Sequence, residues 1–437
     1  MNCLYIFRRD LRLEDNTALL EALKTSNKVI PCFILDPRQI KENEYFSKNA
    51  YEFMIKSLKE LDEKLRSKGS QLYVFKEKPE EVIGKLKNKI SKVIVTQDYT
   101  PFSMERDKKI KTKCEELNIS FQSFEDYLLN PVEKIKKGNG EPYTVFTPYY
   151  KSALKYKIRK PKPNKHINYF KEKLDTVKIP EIEKNPYLYK KGGRAEALEL
   201  LKENYFYYKE KRDIPSINGT TGLSPHHKFG TISIRESYEA FKGNESLIRE
   251  LYFRDFFTQL CYHHPYVFKE NFQRKYNSLE WEDDDEKFKA WCEGRTGFPI
   301  VDAGMRELNT TGYMHNRIRM IVASFLVKHL LINWKRGERY FANKLVDYDP
   351  CVNNANWQWA ASTGADAQPY FRIFNPWRQQ ERFDPECKYI KKWVPELNNL
   401  TAKKIHSLKD KPVEEYHKPI VEHEEARKKA LNFFKTV

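Results

Sequence analysis

Four short apolar runs set what the first third of this chain can fold into: CLYIF (3–7), VIPCFIL (29–35), QLYVF (71–75) and KVIVTQ (92–97). Each is rich in β-branched and aromatic residues and too short for a buried helix, so each reads as a strand. Helical stretches separate them, such as NAYEFMIKSLKELDEKLRSKG (49–69), with Gly69 as its C-terminal stop. Alternation of this kind over residues 1–130 predicts a Rossmann-like α/β domain, a parallel sheet with helices on both faces. No GxGxxG follows the first run, so the standard dinucleotide fingerprint is absent, although the strand ends could still hold a ligand.

The pattern then changes. Residues 131–190 read as a linker: Lys151 to Lys165 holds seven basic residues and no acid, with Pro161 and Pro163 breaking regular structure. This basic stretch could touch DNA or simply be a solvated loop. From 191 to 437 helical periodicity takes over, as in MHNRIRMIVASFLVKHLLINW (314–334), where Met314, Ile318, Ile321, Val322 and Phe325 share a face. This part is expected to be all-α.

A net charge of +18 suits a protein that neutralises phosphates, though a lysine-rich proteome gives the same sign. The seven cysteines are scattered with no CxxC pair, which signals no zinc or iron–sulfur ligand set and suits a reducing cytosol. No apolar run is long enough to span a bilayer, and MNCLYIFRRD is unlike a signal peptide. A cytoplasmic, nucleoid-associated, monomeric protein is expected.

The run LVDYDPCVNNANWQWAAS (345–362) concentrates polar and aromatic residues. Asp349 and Pro350 make a good helix start, as N-cap and first helical residue. In that helix Asn353 and Trp357 share a face. Trp359, about 200° around the axis from Trp357, faces elsewhere. Core packing alone explains that split poorly; a ligand on one side and a second ligand on the other explains it better. Upstream, Arg317 and Arg319 need partners if buried, and Asp347 and Asp349 are candidates, with a structural salt bridge expected for Arg319. NGTTGLS (218–224) offers hydroxyls and close backbone approach before a helix, which suits a pyrophosphate or an ordinary capped loop. In IRELYFRDFF (248–257), Glu250 and Arg254 have ion-pair spacing among aromatics that resist full exposure.

Assembled, these segments resemble the photolyase/cryptochrome flavoprotein family over nearly the whole chain, most closely its class I-type dimer photolyases of archaea and bacteria. FRRDLRLEDN (7–16) resembles its N-terminal signature and TVFTPYYK (144–151) the start of its interdomain crossing. The most specific stretches are AWCEGRTGFPIVDAGMRELNTTGYMHNRIRM (290–320) and NWQWAASTGADAQPYFRIFNP (356–376). The resemblance implies an N-terminal antenna domain on a five-stranded parallel sheet and an all-α C-terminal domain holding a U-shaped FAD. It places Tyr208, Thr220, Thr221, Gly222, Leu223 and Ser224 on the flavin phosphates and ribityl chain. It sets Arg317 and Asp347 as a pair against the isoalloxazine, with Asp349 on the ring and Asn353 beside N5. Arg254 and Tyr348 fall among the cofactor contacts too.

Glu250, Asn316, Met320 and Trp359 match residues lining a lesion pocket. Trp357, Trp334 and Trp281 match the chain that carries electrons between surface and flavin. Arg212, Phe253, Arg372 and Gln379, with Arg254, are the expected DNA contacts. The implied activity is light-driven repair of cyclobutane pyrimidine dimers in UV-damaged DNA, on bases flipped out of the duplex. Reduced FAD lends an electron to the dimer and recovers it after ring splitting. Glu250 would stabilise developing charge on the lesion, and Trp359 would stack on the bases.

Enzymes for (6-4) photoproducts resemble IHH where this chain has His315-Asn316, which favours cyclobutane dimers. A cryptochrome-like photoreceptor without repair activity is the alternative, weakened by the absence of a long tail after YHKPIVEHEEARKKALNFF. A dark flavin oxidoreductase is a third reading, opposed by the missing nicotinamide fingerprint. Phe253 stands where many dimer photolyases carry a lesion-stacking tryptophan, and Tyr313 replaces another tryptophan. TQDYTPFSMERDKKI (96–110) looks more like chains that bind a flavin or deazaflavin antenna than a folate.

Overall fold

The computed structural model describes residues 2–40 and 42–437. The chain divides into two compact units: Met1–Lys184 with Lys190–Asn204 and Thr221–Pro265, and Asn185–Tyr189 with Tyr205–Thr220 and Tyr266–Val437.

The first unit is built on a five-stranded, wholly parallel sheet. Its strands are β1 (Asn2–Phe7), β2 (Lys28–Ile34), β3 (Tyr73–Phe75), β4 (Ile90–Thr96) and β5 (Ser120–Phe124), ordered β3-β2-β1-β4-β5. The four apolar runs form β1 to β4. On β1, Leu4 pairs in register with Ile30 on one side and Val93 on the other. The fifth strand, SFQSF, lies at the sheet edge and is largely exposed, so it has no apolar run to announce it. Pro31 sits inside β2, and pairing with β3 begins only after it, at Cys32, because proline has no N–H to give the ladder. Helix Lys48–Ser67 starts on the Ser47 cap and stops before Gly69, whose φ of +73° ends it. Helix Phe146–Ala153 lies inside the stretch expected to be linker, where Phe146, Tyr149 and Tyr150 are buried.

Buried charge holds other parts of this unit together. Arg12 pairs with Asp126, and Arg235 joins Asp15 at 2.8 Å and Asp126 at 2.6 Å. Burial opposes ionisation of Asp126, but Arg12 and Arg235 outweigh it and hold the carboxyl well below its usual range.

The second unit has only helices as its regular elements among the described residues. Its core includes Trp291, Ile318, Val322, Phe325, Trp334 and Phe341 with Trp357. The run 314–334 is not one helix. It forms Asn316–Lys328, breaks, and restarts at Trp334–Lys344. Leu331 takes a φ of +49°, and the Asn333 side chain accepts from the Lys335 N–H at 3.1 Å. The apolar residues Leu330, Leu331 and Ile332 stay buried, so periodicity continues through a break that capping chemistry decides. Gly337 lets its helix approach Leu326 of the preceding helix and Trp357 of helix Pro350–Ala361: a Cβ there would stand 2.5 Å from Leu326 Cδ2 and 2.3 Å from Trp357 Cη2.

Candidate functional site

Helix Pro350–Ala361 begins as its sequence dictates. Asp349 Oδ1 accepts from the N–H groups of Cys351 and Val352, at 3.0 and 3.1 Å. One turn on, Asn353 is half-buried, and its Nδ2 donates to the Glu338 carbonyl (3.2 Å) and carboxylate Oε1 (2.9 Å). A carbonyl can only accept, so the amide orientation is fixed and Oδ1 points away as an unused acceptor. Glu338 is buried, and burial pushes its carboxyl up to about 7, with the Asn353 and Tyr348 hydrogen bonds pulling the other way. Trp357, on the same face as Asn353, is buried against Phe341 (4.9 Å) and Trp291 (6.1 Å); Trp359 is only partly buried.

The expected pairing of Arg317 with Asp347 is corrected. Asp347 takes Arg319, whose Nη2 lies 2.9 Å from Oδ2. Arg317 instead reaches Asp213 at 2.8 Å and lies over the Phe383 ring at 4.4 Å. The two arginines are two residues apart and leave the helix on different sides. Arg319 Nε is spent on the Met314 carbonyl at 2.7 Å, which leaves Nη1 as its remaining donor.

Asn316 is exposed at the start of its helix, with Nδ2 3.9 Å from the sulfur of half-buried Met320. His315 turns inward: its Nδ1 accepts from Arg317 N–H at 3.2 Å, and burial lowers its imidazole to about 4. Trp334 is buried and donates from Nε1 to Asn271 at 2.8 Å. Trp281 packs on the edge of the same core, 5.2 Å from Phe433. In the segment Tyr205–Thr220, Tyr208 is buried, Arg212 lies 5.4 Å over its ring, and Gly219 closes a turn so tight that a Cβ would meet the Lys211 carbonyl oxygen at 2.5 Å. Arg372 is exposed and Gln379 half-buried.

The first unit holds the remaining residues. Thr221 Oγ1 accepts from Leu223 N–H at 3.4 Å, Gly222 and Leu223 are buried, and Ser224 opens a helix of only six residues, Ser224–Phe229. Glu250, Phe253 and Arg254 lie on helix Glu245–His263, all half-buried. Arg254 donates to the Tyr127 carbonyl at 2.8 Å and stacks on that residue's ring at 3.6 Å. Phe253 lies face to face with Phe146, centroids 3.5 Å apart and planes within 9°. Beyond the carboxyl ends of β1 and β4, where strand order reverses, Arg8 donates to the Thr96 carbonyl at 3.2 Å and pairs with Asp107 at 2.8 Å. Arg106 is buried there with Nη2 unsatisfied, and burial together with Arg8 lowers its guanidinium to about 10.

Glu338, Asp213 and Arg106 escaped sequence reasoning. Each sits in a charged stretch that reads as solvated surface, and only its three-dimensional neighbours set it apart.

The second unit supplies a half-buried amide acceptor at Asn353 and a guanidinium donor at Arg319, each braced from behind. Such a set complements the alternating donor and acceptor edge of an isoalloxazine, so the residues fit a flavin. A helical unit that offers such a set has the site of a flavoprotein. Comparison with known proteins narrows the class. Residues 3–166 match the family model described as DNA photolyase, and residues 247–436 the one described as FAD binding domain of DNA photolyase. A deoxyribodipyrimidine photo-lyase of Alkalihalophilus pseudofirmus is 37% identical, covering 98% of this chain and 97% of the relative. The Escherichia coli protein of the same name is 36% identical, with 97% and 96% covered. A crystal structure of an archaeal photolyase from Sulfolobus tokodaii, described with two FAD molecules, superposes with a TM-score of 0.94 at 48% identity, covering 100% of both chains. The chain belongs to the photolyase/cryptochrome family and carries its FAD-binding domain.

Proposed function

We propose that this chain is a light-driven DNA repair enzyme acting on cyclobutane pyrimidine dimers, a deoxyribodipyrimidine photo-lyase. The observation that carries the substrate choice is the start of helix Asn316–Lys328. Neutral Asn316 faces outward beside Met320, while the neighbouring imidazole of His315 is buried and held neutral near pH 7. A pocket edge without a proton donor suits a lesion split by electron transfer alone, not one that needs general-acid help.

Reduced FAD, when bound, supplies the photoexcited electron donor. Asn353 offers its amide oxygen to the ring edge, and Arg319, neutralised by Asp347, offers a donor that adds no net charge. Tyr208, Thr220, Thr221 and Ser224, with Arg254, are the proposed phosphate and ribityl contacts. Glu250 accepts from the ring N–H groups of the flipped bases, and Trp359 gives them an apolar wall. Trp357, Trp334 and Trp281 form the proposed route for reducing resting cofactor. Functionally, residues 1–130 serve the antenna, 131–190 the crossing and 191–437 catalysis. A monomer in the cytoplasm, drawn to the nucleoid by its DNA, completes the reading; no helix among the described residues is long and apolar enough to cross a membrane.

The second chromophore is proposed to be of flavin type, in the crevice beyond β1 and β4. The buried, incompletely satisfied guanidinium of Arg106 asks for an anion such as a phosphate, and Phe102 lies beside it, 6.0 Å from its carbon. The Sulfolobus tokodaii relative, with its two FAD molecules, supports that choice.

The test is to illuminate reduced holoprotein with single- and double-stranded DNA carrying thymine dimers and count restored thymines. Restoration in neither substrate removes the proposal. Glu250→Ala should lower the yield while FAD stays bound.

A further inference from the structure

Arg249 immediately precedes Glu250 and lies one turn before Phe253 on helix Glu245–His263. Its guanidinium lies beside three aromatic rings, 4.8 Å from the centroid of Phe146 and 5.5 Å from those of Tyr150 and Phe253. All three distances fall within the roughly 6 Å reach of a cation–π contact. Two of the rings form the tightest part of the platform, Phe146 and Phe253 stacked at 3.5 Å. A carbon at those distances from two centroids only 3.5 Å apart lies beside the rims of the stacked pair, so the rings confine the guanidinium from one side without taking up its N–H donors.

No carboxylate claims that edge. Among the described residues none stands within 4.0 Å of the Arg249 nitrogens, although Glu245 lies one turn back and Glu250 next along the chain. Half-buried, ordered by aromatic contacts and left with unspent donors, Arg249 differs from the many arginines here that face an aspartate or glutamate. Phe253 meanwhile has one ring face covered by Phe146, so the platform carries a cation where the resemblance places a base-stacking indole.

We propose that Arg249 is a DNA-backbone contact: its guanidinium grips a phosphate next to the flipped lesion, a task that replaces part of the affinity lost with the missing tryptophan. This rests on the reading of the chain as a DNA repair enzyme. Because folding has already fixed the side chain, binding loses little of its rotamer freedom, and a guanidinium–phosphate pair is bidentate. A backbone contact carries no sequence or lesion information. It therefore strengthens damaged and undamaged DNA alike, and lesion discrimination stays with Glu250 and the pocket.

The experiment measures binding of the FAD-loaded protein to dimer-containing and undamaged duplexes across a salt series. Arg249→Met keeps the apolar bulk on the rings and removes the charge; Arg249→Gln is a second neutral variant should the first fail to fold. For each, log K against log salt should become shallower by about 0.9, the share of one phosphate on duplex DNA. Affinity at moderate salt should fall roughly fivefold to tenfold on both duplexes, with the discrimination ratio and the FAD content unchanged. A slope equal to wild type in a folded variant overturns the proposal, whatever happens to thermal stability. So does a loss confined to damaged DNA, which assigns Arg249 to the lesion, or a loss of FAD, which assigns it to the cofactor phosphates. If wild type itself shows neither salt-dependent DNA binding nor repair, the parent reading fails; if wild type does both and the slopes match, this inference alone fails.

Discussion

Asn353 is held by Glu338: both of its side-chain hydrogen bonds, at 2.9 and 3.2 Å, run from Nδ2 to that one residue. The contact sets which end of the amide meets the cofactor, and it loads a buried carboxyl with a consequence for stability. Its folded value of about 7 lies above the 4.5 of a free glutamate. Between those values the folded chain binds more protons than the unfolded chain, so the Glu338 contribution to stability is full below about 4.5 and is lost as pH rises towards 7. The loss is on the order of 3 kcal/mol. Glu338→Gln should remove that part of the pH dependence, read as urea midpoints at pH 5 and pH 8. Equal pH dependence in wild type and variant would rule out this origin.

Two ion pairs on one helix should differ in value. Asp347 shows 4% side-chain exposure in its pair with Arg319, whereas Asp213 shows 40% in its pair with Arg317. Removing a buried partner strands the other charge, at a cost of about 3 kcal/mol. Removing an exposed one costs roughly 0.5 kcal/mol. Asp347→Asn should therefore destabilise several times more than Asp213→Asn and weaken FAD retention as well. Equal denaturation midpoints for the two variants would contradict the assignment.

What the sequence made legible follows from which signals are local. The four apolar runs became β1 to β4, and Asp349-Pro350 became a helix start, because strand periodicity and capping act over a few residues. The edge strand Ser120–Phe124 has no apolar pattern, so only its pairing with β4 reveals it. The first helix ends at Lys328 and Asn333 caps the start of a new one where periodicity alone would continue, although the cap stood in plain view. Arginine partners were legible only in part. The ion pair expected for Arg319 forms with Asp347, one of its two candidates, 28 residues away, whereas Arg317 finds Asp213 104 residues away, a separation for which local spacing holds no rule.

Trp357 owes its seat to Gly337. A methyl group there would meet Trp357 Cη2 at 2.3 Å and Leu326 Cδ2 at 2.5 Å, both in a packed core. Gly337→Ala gains helix propensity of about 1 kcal/mol, but the clash outweighs it if overpacking costs about 1–3 kcal/mol. The net expectation is a destabilised protein with displaced indole, seen as altered Trp357 fluorescence and slower photoreduction of bound FAD. A Gly337→Ala protein with wild-type stability and photoreduction would show that the ring does not depend on this gap.

Arg106 tests the second chromophore separately from the first. Asp107, 3.1 Å from Nε, only partly compensates a guanidinium this buried and this close to Arg8, since desolvation and like charge outweigh it and Nη2 has no partner. A flavin phosphate at that place would offset the cost, and holoprotein should then release two flavins per chain on denaturation. Arg106→Leu removes the donor and relieves the repulsion. It should release one flavin per chain, keep dimer repair when the catalytic flavin is excited directly, and lose the extra action-spectrum band that an antenna contributes. It should also leave the flavin-free protein no less stable than wild type, because the charge it deletes has no complete set of partners there. Two flavins retained in Arg106→Leu would place the second one elsewhere; one flavin in wild type under flavin-replete conditions would remove the flavin antenna from the proposal while leaving the repair activity untouched.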